Sequence, residues 1–198
     1  MDTEFQPKPV TLYGEHVRLE PLAVEHAQGL FNRGQDHGDW AYMPRGYFVD
    51  QADCKQWINE AGRAEDQIAF AIVETARDRA VGSTRFLAIR TEHRGLEIGW
   101  TWLGRDWQRT PINTEVKFLL LQHCFELLGA IRVEFKTDLR NQRSQNALAR
   151  IGAQREGIFR NHMIVQNGHL RDSVYYSITL QDWPLVKEAL LAKLGRSG

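Results

Sequence analysis

Residues 101–117, TWLGRDWQRTPINTEVK, run from a strand through a polar loop into the start of an apolar helix, an arrangement suited to gripping phosphate. The first turn of a helix carries N–H groups without helical partners and the positive end of the helix dipole, and both favour a bound anion. Thr110 is a natural N-cap and Pro111 suits the first helical position, so an ordinary capped helix start accounts for the same residues. Gly99, inside the preceding strand, marks a bulge or a place where another group approaches the backbone closely. Further on, Tyr175 and Tyr176 are adjacent strand residues with opposite orientations, so only one of them can face a cleft. His162 titrates near neutrality, and Arg171-Asp172 reads as a polar network.

Hydrophobic periodicity supplies the elements that must position these groups. It predicts a first strand over 17–20, helices over 24–33 and 50–65, and strands over 68–74, 80–89 and 96–103. A helix over 111–128, a strand over 132–137 and a helix over 142–151 follow. Strands over 153–165 and 170–180 turn at Asn167-Gly168, and a helix over 183–194 closes the chain. Residues 37–48, rich in aromatics, Gly and Pro, read as a loop suited to covering a cleft or the core. Strict alternation in the third of the middle strands points Leu96, Ile98, Trp100 and Trp102 one way and Glu97, Gly99, Thr101 and Leu103 the other. The order implies a mixed sheet with helices on both faces.

The 198 residues suit one domain over 1–198, and 42% hydrophobic with 25% charged residues is a globular composition. Lys+Arg equals Asp+Glu at 25 each, so no global charge draws the chain toward nucleic acid or a membrane surface. The N-terminal decapeptide lacks a secretory pattern, and the apolar run over 116–128 is broken by polar residues and too short to span a bilayer. A soluble, cytoplasmic protein is expected. Cys54 and Cys124 lack the close spacing of a metal or redox pair and are expected to be reduced packing residues, with no metal bound.

The segment Gln108-Arg109-Thr110-Pro111-Ile112-Asn113-Thr114-Glu115 resembles the acyl-coenzyme-A loop of the GNAT superfamily of N-acetyltransferases, where Gln/Arg-x-x-Gly-x-Gly/Ala opens a helix after a central strand. A second block, from Asp138 through Asn141 and Ser144 to Arg150-Ile151-Gly152, is similar to the RimJ/RimL-like branch. The resemblance covers nearly the whole chain. It implies an α/β (α+β) fold with a mostly antiparallel central sheet, splayed at the acyl-CoA site, and acetyl-CoA as cofactor. By the same resemblance the pantetheine arm pairs with the backbone of Trp100, Thr101, Trp102 and Leu103. The pyrophosphate falls to Gln108, Arg109, Thr110, Pro111, Ile112, Asn113 and Thr114, with Asn141, Ser144 and Arg150 adding contacts. Pro111 and Asn113 depart from the pattern where glycines let the backbone approach phosphate, and proline has no N–H to donate. Arg109 is expected to compensate, because a charge-assisted bond to phosphate is roughly twice as strong as a neutral one.

Acetyl transfer from a thioester needs a neutral amine, a route for its second proton and a way to accommodate the leaving thiolate. Deprotonating a lysine of pKa near 10.4 costs roughly 4.6 kcal/mol at pH 7, against about 1.4 for an α-amine of pKa near 8. A protein N-terminus or weakly basic small amine is thus the easier acceptor. The resemblance makes Glu97 the candidate base and Ser144 the donor to the thiolate, and the cleft-facing tyrosine of the last long strand, taken as Tyr176, is a candidate acid. A small-molecule acceptor would find an aromatic wall in Trp40, Tyr42, Tyr47 and Phe48, and a cofactor-binding sensor without turnover is the alternative that Pro111 and Asn113 favour. The apolar stripe of the C-terminal helix, with Trp183, Leu185, Val186, Leu190, Leu191 and Leu194, suits either a homodimer, which the resemblance also implies, or packing on the chain's own sheet.

Overall fold

A computed structural model describes residues 5–196. Eight strands among the described residues form one sheet in the order β1-β2-β3-β4-β5-β6-β8-β7. They are β1 Leu12–Tyr13, β2 Val17–Pro21, β3 Ile68–Glu74, β4 Arg79–Arg90, β5 Gly95–Leu103, β6 Arg132–Asp138, β7 Gln154–Val165 and β8 His169–Thr179. Every neighbouring pair is antiparallel except β5 and β6, which run parallel because helix α4, Pro111–Gln122, carries the chain back between them. The expected hairpin turn forms with Asn167 and Gly168 both at positive φ, 59° and 71°.

Apolar faces decide which side each helix covers. Ala27 and Leu30 of α1 (Ala27–Arg33) and Cys54, Trp57 and Ile58 of α3 (Gln51–Arg63) share a core with Trp40, Phe48 and Trp102 on one side of the sheet. On the other side, Val116 and Leu120 of α4, Leu148 of α5 (Gln142–Arg150) and Leu190 of α6 (Trp183–Lys193) pack with Leu96, Ile98, Phe135 and Val174. The predicted elements therefore form within a few residues of their expected ends. A short helix α2, His37–Trp40, interrupts the segment read as a loop, and α4 runs on through a π-helical turn, His123–Leu127.

Two expectations are corrected. Arg85 pairs with Gly99 and Ser83 with Trp102, so a bulge at Trp100, whose φ is +51°, breaks the alternation of β5. Gly99 and Trp100 lie on the same face, and beyond the bulge Trp102 joins the α1/α3 core while Leu103 joins Leu96 and Ile98. Trp40 and Phe48 are core residues, which removes them from an acceptor wall. The stripe on α6 packs on its own sheet through Trp183, Val186, Leu190 and Leu191, and Leu185 is left 73% exposed.

Candidate active site

β5 and β6 are paired only over Gly95–Glu97 with Arg132–Glu134; beyond that no ladder joins them. Each strand then leads into a helix, β5 into α4 and β6 into α5, so a crevice opens at the carboxyl ends of two parallel strands with a helix start on either side. Side chains tie the two helix starts together. Arg143, in the first turn of α5, donates to Gln108 Oε1 at 2.9 Å, and Gln108 Nε2 donates to Asp39 Oδ1 at 2.6 Å and to the Leu103 carbonyl at 2.9 Å. Gln108 thus has its polar atoms engaged within the protein and acts on the shape of the loop. Across the helices, Arg150 Nη2 donates to Thr114 Oγ1 at 3.3 Å.

The start of α4 shows why proline is tolerated there. Thr110 is the N-cap, accepting from the Ile112 N–H at 3.3 Å and donating to the Trp107 carbonyl at 2.7 Å. Pro111 sits at the first helical position, where an N–H would have no helical acceptor, so the helix loses nothing. The main chain at Thr110 and Asn113 still offers N–H groups with no preceding turn to bond to. Arg109 is exposed and takes a left-handed conformation, φ +60°, which turns the loop onto the helix axis. Ile112, Thr114, Trp102 and Leu103 are buried, so only their backbones can face a ligand. In α5, Asn141 is the N-cap and accepts from the Ser144 N–H at 3.0 Å, with Ser144 in the exposed first turn beside the crevice.

Where β5 and β6 close, the sheet face opposite α4 carries a cluster of charged groups. Glu97 is 3% exposed and its Oε2 lies 2.9 Å from Lys136 Nζ on β6. Burial pushes the Glu97 carboxyl above its ordinary pKa, with Lys136 opposing. On β8, Tyr175 lies within 3.3 Å of His162 Nε2 through its hydroxyl, and His162 Nδ1 lies 3.0 Å from Ser173 Oγ. Burial, Lys136 and Arg171 all hold the His162 pKa down, so the ring is neutral at pH 7. Arg171 is buried on this face without a partner for its Nε. Asp138 is buried there as well and paired with Arg140 at 2.8 Å, and the Arg140 guanidinium stands 5.7 Å from the centre of the Tyr42 ring.

The hairpin β7–β8 is strapped to the 40–46 segment. Gln166 Nε2 lies 2.8, 2.8 and 2.7 Å from the carbonyl oxygens of Trp40, Met43 and Arg45. The polar face is thereby bordered on one side by this segment and on the other by the curled hairpin. Tyr176 is corrected by strand parity: it is 5% exposed in the α4/α5 core with its hydroxyl 3.4 Å from Gln145 Oε1, and Tyr175 is the tyrosine on the groove.

Comparison with known proteins gives the arrangement its context. Residues 16–154 match the family model described as an acetyltransferase (GNAT) domain. The chain belongs to the GNAT acetyltransferases. A GCN5-related N-acetyltransferase from Brucella melitensis is 30% identical and superposes with a TM-score of 0.90, over 94% of this chain and 86% of that one. The Escherichia coli enzyme named [ribosomal protein uS5]-alanine N-acetyltransferase is 23% identical over 127 residues, 64% of each chain. RimJ of Mycobacterium smegmatis, solved in complex with CoA-disulfide, shares the fold at 21% identity, with a TM-score of 0.79 over 95% of this chain and 96% of that one.

As a GNAT acetyltransferase the protein uses acetyl-CoA. The crevice fits that cofactor on its own terms. An unpaired stretch of β5 is open to an extended arm, and two helix starts with Arg109 and Arg143 at the wide end suit a diphosphate. Sequence reading missed Lys136, Gln166 and Lys117 of this acetyltransferase. Lys136 and Gln166 lie in no motif, Lys117 closes the 101–117 stretch outside the loop pattern, and each joins the candidate site only through a contact across the fold. It also left Glu115 unexplained. That carboxylate is fully buried, accepts from the N–H groups of Glu15, His16 and Val17 and pairs with Arg196, so it anchors the β1–β2 turn.

Proposed function

We propose that this acetyltransferase transfers the acetyl group of acetyl-CoA to a primary amine held on the Glu97 face of the sheet, by direct attack of the amine. Acetyl-CoA supplies the acetyl group as an activated thioester. The chain's own part is to hold the arm along Trp100–Leu103 backbone and the diphosphate at Arg109, Thr110 and Asn113, and to manage the amine's proton. The observation that carries this reading is Glu97: a buried carboxyl at the closed end of the crevice, with its proton affinity raised and Lys136 at 2.9 Å to hold its orientation.

A protein N-terminal α-amine is the preferred acceptor. Its lower pKa makes the neutral nucleophile cheaper to reach than with lysine, and the similarity to an enzyme named for a ribosomal-protein alanine supports it. Ser144, in the first turn of α5, is the residue we assign to the departing thiolate. We read residues 1–198 as one acetyltransferase domain, and free, buried Cys54 and Cys124 suit a reducing compartment such as the cytoplasm. Incubation with acetyl-CoA and a panel of N-terminal peptides and small amines, followed by free thiol, tests the proposal. Thiol release that depends on an acceptor is expected. Tight cofactor binding with no release across the panel would make the protein a sensor.

A further inference from the structure

The chemistry of acetyl transfer leaves Lys117 unused, although its position is unusual. It rises from the second turn of α4 into the gap between the parted strands: Nζ donates to Thr101 Oγ1 on β5 at 2.9 Å and stands 5.5 Å from the centre of the Phe135 ring on β6. The residue is 6% exposed. Glu97, the charge that acts on it, is paired with Lys136 on the opposite face of the sheet. Thr101 Oγ1 is in turn 2.7 Å from Thr84 Oγ1, so the hydroxyls beneath the Trp100 bulge form a short polar line that ends on this amine. An ammonium has three donors and Thr101 accounts for one.

We propose that Lys117 is the residue of this chain that binds the cofactor's arm from the floor of the crevice, donating to an amide carbonyl of the pantetheine laid between β5 and β6. This rests on the reading of the crevice as the acetyl-CoA site. Two amide groups are spaced along that arm, and an extended arm crossing the gap passes over the Lys117 amine. Burial pushes the pKa of the amine down to about 7, the mark of a cation short of hydrogen-bond acceptors. A lysine so placed weakens the fold, and an acceptor arriving in the crevice relieves it.

The inference is tested by calorimetric titration of the wild-type protein, K117M and K117Q with two probes. CoA carries the arm, and adenosine 3′,5′-bisphosphate carries most of the nucleotide end without it. The wild type is expected to bind both. In either variant CoA affinity should fall about tenfold or more, bisphosphate affinity should stay within about twofold, and the thermal midpoint of K117M should equal or exceed the wild type. Equal affinity for CoA in wild type and both variants overturns the role of Lys117 while leaving the crevice as cofactor site. A parallel loss of both probes makes Lys117 a structural support and equally overturns it. Failure of the wild type to bind either probe removes the cofactor reading itself.

Discussion

The carboxylate of Glu97 lies over the α-carbon of Gly99: a β-carbon built there would stand 2.7 Å from Glu97 Oε1 and 2.7 Å from Leu87 Cδ1. The missing side chain is what leaves room for the buried acid. Gly99→Ala should therefore displace the carboxylate with little effect on the fold and lower acetyl transfer about tenfold to a hundredfold. Steady-state rates with an acceptor found in the amine panel, alongside a melting curve, give the comparison. A rate within about twofold of wild type would separate Gly99 from the placement of Glu97.

Glu97 acts as a base only when ionised, and burial holds its pKa above the usual carboxylate range. The rate should thus rise with pH through an inflection lying above that of an ordinary exposed glutamate. Glu97→Gln should abolish that limb and cost about 10²–10⁴-fold in kcat/KM. If the acid limb survives in the variant at its original position, the base lies elsewhere.

Gln166 holds the 40–46 segment by one side chain, so Gln166→Ala should release it. Amide exchange at Met43 to Gly46 is expected to quicken and the acceptor KM to rise severalfold, with CoA affinity unchanged. Unaltered exchange in that segment would mean that its own contacts, such as Arg45 with Asp53 at 2.6 Å, suffice.

At Arg109 charge and backbone can be tested apart. Arg109→Ala should weaken CoA binding about tenfold, and Arg109→Gly should weaken it equally while raising stability by about 1 kcal/mol, since φ is +60° there. Titration calorimetry and a denaturant midpoint read the two effects. CoA affinity equal to wild type in both variants would take the guanidinium out of the diphosphate site.

Lys117 also sets a pH dependence of stability. Its pKa falls from about 10.5 unfolded to about 7 folded, so the unfolded chain binds more protons between those values and stability must rise with pH across that window. The penalty is complete below pH 7 and fades toward pH 10.5. K117M should accordingly exceed the wild type in denaturant midpoint most at pH 6.5, with the gap narrowing at pH 9.5. A gap independent of pH would show that the amine titrates alike in both states.

Several of these groups are legible in the chain itself. Alternation and helical periodicity locate the strands and helices because burial on one face imposes a period, and Asn167-Gly168 and Thr110-Pro111 declare a turn and a helix start through backbone chemistry alone. The loop at residues 108–113 can be found for the same reason: a helix start is a local object. Gly99 signals an anomaly, and the bulge lies one residue on, at Trp100.

The order of elements, the family pattern and the candidate base on β5 are thus written in the linear chain. Which side chains meet is a property of the folded molecule. The Trp100 bulge moves Trp102 to the α1/α3 core and parity puts Tyr175, not Tyr176, on the groove, because register against β4 and β6 is a relation between strands. Lys136, Gln166 and Lys117 join the site for that reason too. They belong to different elements from their partners, and a pairing across the sheet leaves no spacing in the chain to read.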